Sequence, residues 1–236
     1  MEWATVEDME SDVRQSVENG LLVCYGSCCH ELQTREQHRQ HGLIKKLEKY
    51  REQAIEDQNE KQANAAYIYL DIVATLLHHL QMWLLLKSDR MAEAWDQLVE
   101  AQDSLKTALR FVQDDALRHW YMELLAAEKL LFPPQRFASS SHYFGYAECS
   151  ICGKVYGECG HVAGRLHMGQ MCVRQIHEIG GVNHVAIVDN PRDKGCRWTK
   201  VKRDGHMYCT LTLRRLEKAD DKRGDAEVCI LRARQQ

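Results

Sequence analysis

Proline is almost missing from this chain: three residues in 236, none before Pro133. Nothing therefore interrupts helical hydrogen bonding over the first half. Glycine is also sparse at 14 residues, and hydrophobic residues make up 44%. That composition excludes collagen-like, mucin-like and disordered chains and leaves enough apolar material for a proper core. Neither sign of charge dominates, with 31 Lys+Arg against 34 Asp+Glu and a formal net charge of −3. The segment Met1-Glu-Trp-Ala-Thr-Val-Glu-Asp8 is acidic and lacks the basic region followed by an apolar run that marks a secretion signal. The expected location is a reducing compartment, the cytoplasm. No uninterrupted spanning run exists either, because Ala65 to Leu86 contains Asp71, His78, His79 and Gln81. A bilayer penalises such groups, so a buried helix and no membrane are expected.

Cysteine is abundant by contrast, with ten residues. In a reducing compartment, clustered cysteines indicate metal more often than disulfide. The chain also divides by charge: residues 1–136 carry 15 basic and 23 acidic side chains, the remainder 16 and 11. Pro133-Pro134 and Ser139-Ser140-Ser141 lie at the change and read as a polar linker. The pattern predicts a multidomain protein, α and α+β. An acidic antiparallel helical bundle is expected over 1–136, and a small basic, zinc-stabilised α+β domain over 137–236.

Within the first half, residues 31–62 read as a long polar helix, with Glu48, Arg51, Glu52, Glu56 and Lys61 spaced for pairs three or four apart. Residues 63–131 read as three helices joined by short turns. Met91, Trp95, Leu98, Leu105, Leu109 and Val112 form one apolar stripe, on a helix that Ser88 or Asp89 could cap. The next helix starts at Asp114-Asp115 and buries Leu117, Trp120, Tyr121, Leu124 and Leu125. Trp95 to Gln102 resembles the second helix of a tetratricopeptide hairpin, but no second copy supports a repeat. In the second half, His184 to Asp189 reads as a strand stopped by Asn190-Pro191. Asp204-Gly205 predicts a two-residue hairpin turn pairing Arg203 with His206. Extending that register sets Thr199 opposite Thr210, Trp198 opposite Leu211 and Cys196 opposite Leu213. Ala226 to Leu231 offers a third strand.

The densest chemical signal is Cys149-Ser-Ile-Cys152-Gly-Lys-Val-Tyr-Gly-Glu-Cys159-Gly-His161. Four soft or borderline donors fall within one short segment, and Gly153 suits the tight turn that supports bound thiolates. The expectation is one structural Zn2+ held by Cys149, Cys152, Cys159 and His161. His167 and Cys172 are alternates that spacing alone leaves open. A redox pair fits less well, since Gly153, Gly157 and Gly160 oppose the helix that usually follows a redox Cys-x-x-Cys. Cys24, Cys28, Cys29 and His30 lie in helical sequence and read as a buried thiol face. His78 and His79 read as ordinary core or surface histidines.

From Cys149 to Pro191 the run Cys-x-x-Cys-Gly, Cys-Gly-His-Val-Ala-Gly-Arg-Leu-His-Met-Gly and Val-Ala-Ile-Val-Asp-Asn-Pro resembles a Cys/His module of phage head-associated and related prokaryotic proteins. The match covers about 43 residues. It implies a metal-stabilised module; His167 replaces the usual aromatic, and no protease Ser/His pair accompanies it.

Motifs for zinc deaminases, H-E-x-x-H metalloproteases and phosphate-binding loops are absent. A metal-dependent nuclease of ββα-metal type is the alternative reading, since Asn183 and His184 add suitable residue types. That chemistry needs an open metal with hard ligands, which a four-donor thiolate site does not provide. Residues 192–203 hold six basic side chains and Trp198. Arg197, Trp198, Lys200, Lys202 and Arg203 are the candidate nucleic-acid contacts, pairing phosphate-binding charges with a stacking surface. The expected function is therefore that of a non-enzymatic, zinc-containing interaction or adaptor protein. Its acidic bundle would dock a protein partner, and its basic half would contact nucleic acid.

Overall fold

The computed structural model describes residues 3–26 and 29–216. Five helices come first: α1 (Val6–Gly26), α2 (His30–Glu56), α3 (Glu60–Lys87), α4 (Met91–Ala108) and α5 (Asp115–Leu131). Three small antiparallel sheets follow. They pair β1 (Phe137–Cys149) with β4 (Arg174–Val188), β2 (Leu166–His167) with β3 (Gln170–Met171), and β5 (Lys200–Arg203) with β6 (His206–Cys209). The expected combination of α and α+β structure is present.

α3 is the central helix of the bundle, packing on α1, α2 and α4. Its apolar residues recur round the helix: Val73, Leu76 and Leu80 share one face, Leu85 lies on another, and all four are buried. By length and composition α3 could cross a membrane, but half of its most apolar window is buried within the fold. The long polar helix expected over 31–62 stops earlier, at Glu56. Asn59 then caps α3 by accepting a hydrogen bond from the Gln62 N–H at 3.2 Å. Ser88 and Asp89 do not cap α4: Ser88 ends α3, and Arg90 occupies the cap position without a side-chain capping bond. The α5 start is as expected, with Asp114 Oδ1 accepting from the Ala116 and Leu117 N–H groups at 2.9 and 3.1 Å. A part-buried polar network joins α1 to α2. Ser16 Oγ donates to Gln40 Oε1 at 3.3 Å, and Arg39 Nη2 donates to Glu36 at 2.7 Å and to the Ser16 carbonyl at 3.0 Å. Those partners satisfy groups that would be costly if buried alone.

The polar stretch around Ser139–Ser141 is part of β1 and not a linker. A paired strand satisfies its own backbone groups, so small polar residues are tolerated there despite their loop-like composition. The β5–β6 register is the expected one, from Arg203↔His206 to Lys200↔Cys209. Thr199 still meets Thr210, whose N–H donates to the Thr199 carbonyl at 3.0 Å. Beyond that the extended register ends. The Trp198 N–H donates to the Arg136 carbonyl at 2.8 Å, and the Ala138 N–H donates to the Cys196 carbonyl at 2.9 Å. Residues 196–198 thus pair with the start of β1 instead of with Leu211 and Leu213. The proposed third strand over Ala226 to Leu231 lies outside the described residues.

The chain forms two compact units, one of residues 1–124 with 145–178 and the other of residues 125–144 with 179–236. A single cut after Arg136 therefore differs from this grouping. The Cys/His segment belongs with the bundle because its loops dock on helices. The Gly169 N–H donates to Asn64 Oδ1 at 2.8 Å, and Arg110 Nη2 donates to the Gly164 carbonyl at 3.1 Å.

Candidate metal centre

Cys149 is the last residue of β1, and the chain turns at once. The Gly153 N–H donates to the Cys149 carbonyl and the Cys149 N–H to the Lys154 carbonyl, each at 2.8 Å. Gly153 adopts φ +69, a conformation that other residues reach only with strain. This knuckle turns the Cys149 and Cys152 side chains towards each other. The following loop brings in Cys159 and His161. The donor atoms of Cys149, Cys152, Cys159 and His161 all lie within 4.8 Å of one another. These four residues could bind one metal ion.

Both alternates also reach this neighbourhood. The β2–β3 hairpin ends at Cys172, whose N–H donates to the Arg165 carbonyl at 2.9 Å. Its Sγ sits 3.7 Å from Cys149 Sγ. Two thiolates on one tetrahedral zinc, each with a Zn–S bond of about 2.3 Å, stand about 3.8 Å apart. Cys172 therefore meets Cys149 at a separation suited to a shared metal. The His167 ring lies edge-on to His161, with centroids 4.8 Å apart. His161 Nδ1 and His167 Nε2 are buried without a hydrogen-bond partner, although buried ring nitrogens normally have one. A cation beside them would give at least one of these nitrogens a role.

The electrostatics favour the same occupant. Burial opposes a thiolate at Cys149, yet the N–H groups of Ile151 and Cys152, with the Cys172 and Cys159 thiols, hold its pKa at about 6. The neighbouring thiols pay the converse cost: burial and the Cys149 sulfur push Cys172 up to about 11. At Cys159 the His161 N–H favours the thiolate, but burial and the Cys149 and Cys152 sulfurs outweigh it, and the pKa is raised. Crowded thiols thus resist sharing negative charge among themselves. A divalent cation removes that conflict by neutralising the set, which is how thiolate sites couple metal binding to proton release. Three sulfurs and an imidazole suit zinc in a closed structural site, and leave little affinity for Mg2+ or Ca2+.

The loop is anchored to the bundle by residues that carry no metal-site signature. Asn64 and Arg110 hold Gly169 and Gly164, and the Met168 N–H donates to Glu60 Oε1 at 3.4 Å. Of the other sequence candidates, Cys24 is buried, as expected for a thiol on a helix face, while Cys29 is exposed at the α2 N-cap. Cys28 lies outside the described residues. His79 is a core residue: it is 1% exposed, and its Nδ1 accepts from Trp120 Nε1 at 3.2 Å. Asn183 and His184 stand exposed on β4 and are not members of the cluster.

The candidate nucleic-acid residues divide. Lys202 and Arg203 are exposed at the β5–β6 turn, and Lys200 and Trp198 are half-buried. Arg197 is only 6% exposed, so little of it is open to a phosphate. Counting basic residues along the chain could not reveal this, because the segment of Arg197 is placed by a bridge to Phe137 at the start of β1, far away in sequence.

No protein-family model, no curated protein and no solved structure matches the chain.

Proposed function

We propose that this chain is a non-enzymatic interaction protein organised around one structural Zn2+, with Cys149, Cys152, Cys159 and His161 as ligands. The observation that carries this reading is the convergence of four such donors within 4.8 Å, three of them thiols. A site with four protein donors leaves no open position for substrate, which favours a scaffold over the nuclease alternative. The resemblance of residues 149–191 to phage head-associated modules supports a metal-stabilised module. The charge balance of −8 over residues 1–136 supports docking of a protein partner by the bundle. Lys200, Lys202 and Arg203, with Trp198, are the residues proposed to touch nucleic acid in the cytoplasm.

Elemental analysis of reduced, purified protein tests the metal directly, with one zinc per chain expected. Absence of stoichiometric zinc after refolding with the metal overturns the reading. Cobalt substitution then separates the ligand sets, because sulfur-to-cobalt charge-transfer absorption scales with the number of thiolates. Three thiolates support His161, whereas a fourth that disappears in Cys172→Ser replaces His161 with Cys172. For nucleic acid, Lys202→Glu with Arg203→Glu should weaken binding to unrelated sequences alike and lower the salt slope by about one unit per lost phosphate contact. Failure of the wild-type protein to bind DNA or RNA at micromolar concentration and low salt leaves the protein-docking role alone.

A further inference from the structure

Two helices of the bundle stand apart. α1 packs on α2 and α3, but among the described residues it does not pack closely on α5. Polar bridges hold the pair across the gap. Arg14 Nη1 meets Asp114 Oδ2, just before α5, at 3.2 Å, and the Tyr25 hydroxyl donates to Glu123 Oε2 at 2.7 Å. Between the helices lies a cleft of about 360 Å3. Val13, Val17 and Leu21 of α1, Ile72 of α3, and Leu117 and Trp120 of α5 make its walls apolar. That volume falls within the range of small-molecule sites, and apolar walls left facing empty space forfeit their packing. The mouth supplies the chemistry. Glu10, Arg14 and Glu18 follow at four-residue spacing along α1, and Asp114 lies across from them. Arg14 is already engaged: Nε and Nη2 donate to Glu10 Oε1, each at 3.1 Å, and Nη1 pairs with Asp114. An entering anion would compete with carboxylates on all three nitrogens. Glu18 is exposed and, among the described residues, has no ion-pair partner. Burial and a hydrogen bond to Glu10 raise the pKa of Tyr69, so its phenol lines the cleft as a neutral group. Three carboxylates against one guanidinium leave the mouth with an excess of negative charge.

We propose that the α1–α5 cleft binds a small organic cation, an ammonium group on an apolar aryl or alkyl body, with the body against Val17, Leu117 and Trp120 and the ammonium at Glu18. The walls alone would accept any apolar body of this size. The carboxylates discriminate, because a cation gains at each of them where an anion loses and a neutral molecule gains nothing. An indole adds to the same preference, since its ring attracts positive charge. The cleft uses none of the proposed zinc ligands, so the proposal goes beyond the interaction-protein reading and stands or falls separately from it.

Phenylbutylamine, phenylbutyrate and phenylbutanol share one body and differ in charge. In calorimetric titration of the full chain the amine should bind saturably, one per chain, and about tenfold more tightly than the alcohol, with the acid weaker still. Glu18→Lys, at an exposed position, should weaken the amine about tenfold and leave the alcohol unchanged, because an attraction becomes a repulsion of similar size. Leu117→Trp fills the cleft and should abolish binding of the amine and the alcohol, with an unchanged circular dichroism spectrum. Hydrogen exchange of the wild-type protein needs no variant: saturating amine should slow the amides of residues 13–21 and 117–124 and leave those of β5–β6 unchanged. Four results each overturn the proposal: no saturable binding of the amine by the full chain, as when part of the chain itself fills the cleft; equal affinity for amine, acid and alcohol; amine binding undiminished in Glu18→Lys; and protection by the amine confined to residues outside α1 and α5.

Discussion

Gly169 shows how one backbone position couples the Cys/His loop to the helices. It holds φ +71, and a Cβ placed there would lie 3.0 Å from both the Ala63 carbonyl oxygen and Arg51 Cγ. Strain in that conformation and the close approach both penalise a side chain. Gly205 in the β5–β6 turn has a similar φ of +75 but nothing within 4 Å of the same position. Gly205→Ala should therefore cost about 1 kcal/mol, from conformation alone, and Gly169→Ala about 2–3 kcal/mol. Thermal melts of the two variants check this; equal destabilisation would mean that the loop does not need its contact with α3. The four proposed ligands were legible in the sequence because they lie within thirteen consecutive residues, where spacing nearly determines geometry. Asn64 and Arg110 were not, since they act through hydrogen bonds to the backbone of residues far along the chain. Such bonds select no residue type at the receiving end and leave no motif.

α3 carries two ionisable groups, His79 in the core and Asp71 half-buried, whose effects on stability oppose each other. Burial lowers the pKa of His79 from 6.5 to about 4. Burial raises Asp71 from 3.8 to about 7, against the partial opposition of Arg51, and Asp71 Oδ2 has no hydrogen-bond partner. For His79 the unfolded chain takes up a proton before the folded one does, so stability is complete above about 6.5 and falls as pH drops towards 4. For Asp71 the folded state holds the proton more tightly, so stability is complete below about 4 and falls as pH rises to 7. Between pH 4.5 and 6 the two slopes, each about 1.4 kcal/mol per pH unit at most, nearly cancel. Asp71→Asn should expose the His79 slope, with stability declining on acidification over this window, and should gain stability relative to wild type near pH 7.5. Urea unfolding at several pH values measures this; a flat Asp71→Asn profile would place His79 in contact with water. Helix periodicity made α3, α4 and α5 legible, since an apolar stripe survives any detail of packing. The strand β1 was hidden because serine, histidine and glycine in a ribbon open to solvent have the composition of a loop. The break at residues 57–59 was hidden by the continuous polar pattern on both sides, and only the capping bond of Asn59 marks it.

In the molecule as a whole, the compact units cut across the charge asymmetry. Charge suggests a division after Arg136, but residues 145–178 group with residues 1–124. A metal bound by these four residues, Cys149, Cys152, Cys159 and His161, would consequently bear on the bundle as well as on the loop. Zinc that binds only the folded chain stabilises it by about 4 kcal/mol at a free concentration one thousand times its dissociation constant. Removing zinc with a chelator under reducing conditions should release residues 149–172 first. The amide of Gly169 should then exchange faster, having lost its fixed position against Asn64, followed by those of the first turn of α3. The β5–β6 hairpin lies in the other unit and should keep its protection. A chain ended at Arg136 lacks the loop altogether; it should remain helical but unfold at lower temperature than the zinc-loaded protein, by several degrees in circular dichroism. Hydrogen exchange resolves the alternatives. If chelation leaves α3 untouched and the shortened chain melts like the bundle of the full protein, the loop rests on the helices without supporting them. Loss of protection at β5–β6 together with the loop would instead show that the metal is coupled to both units.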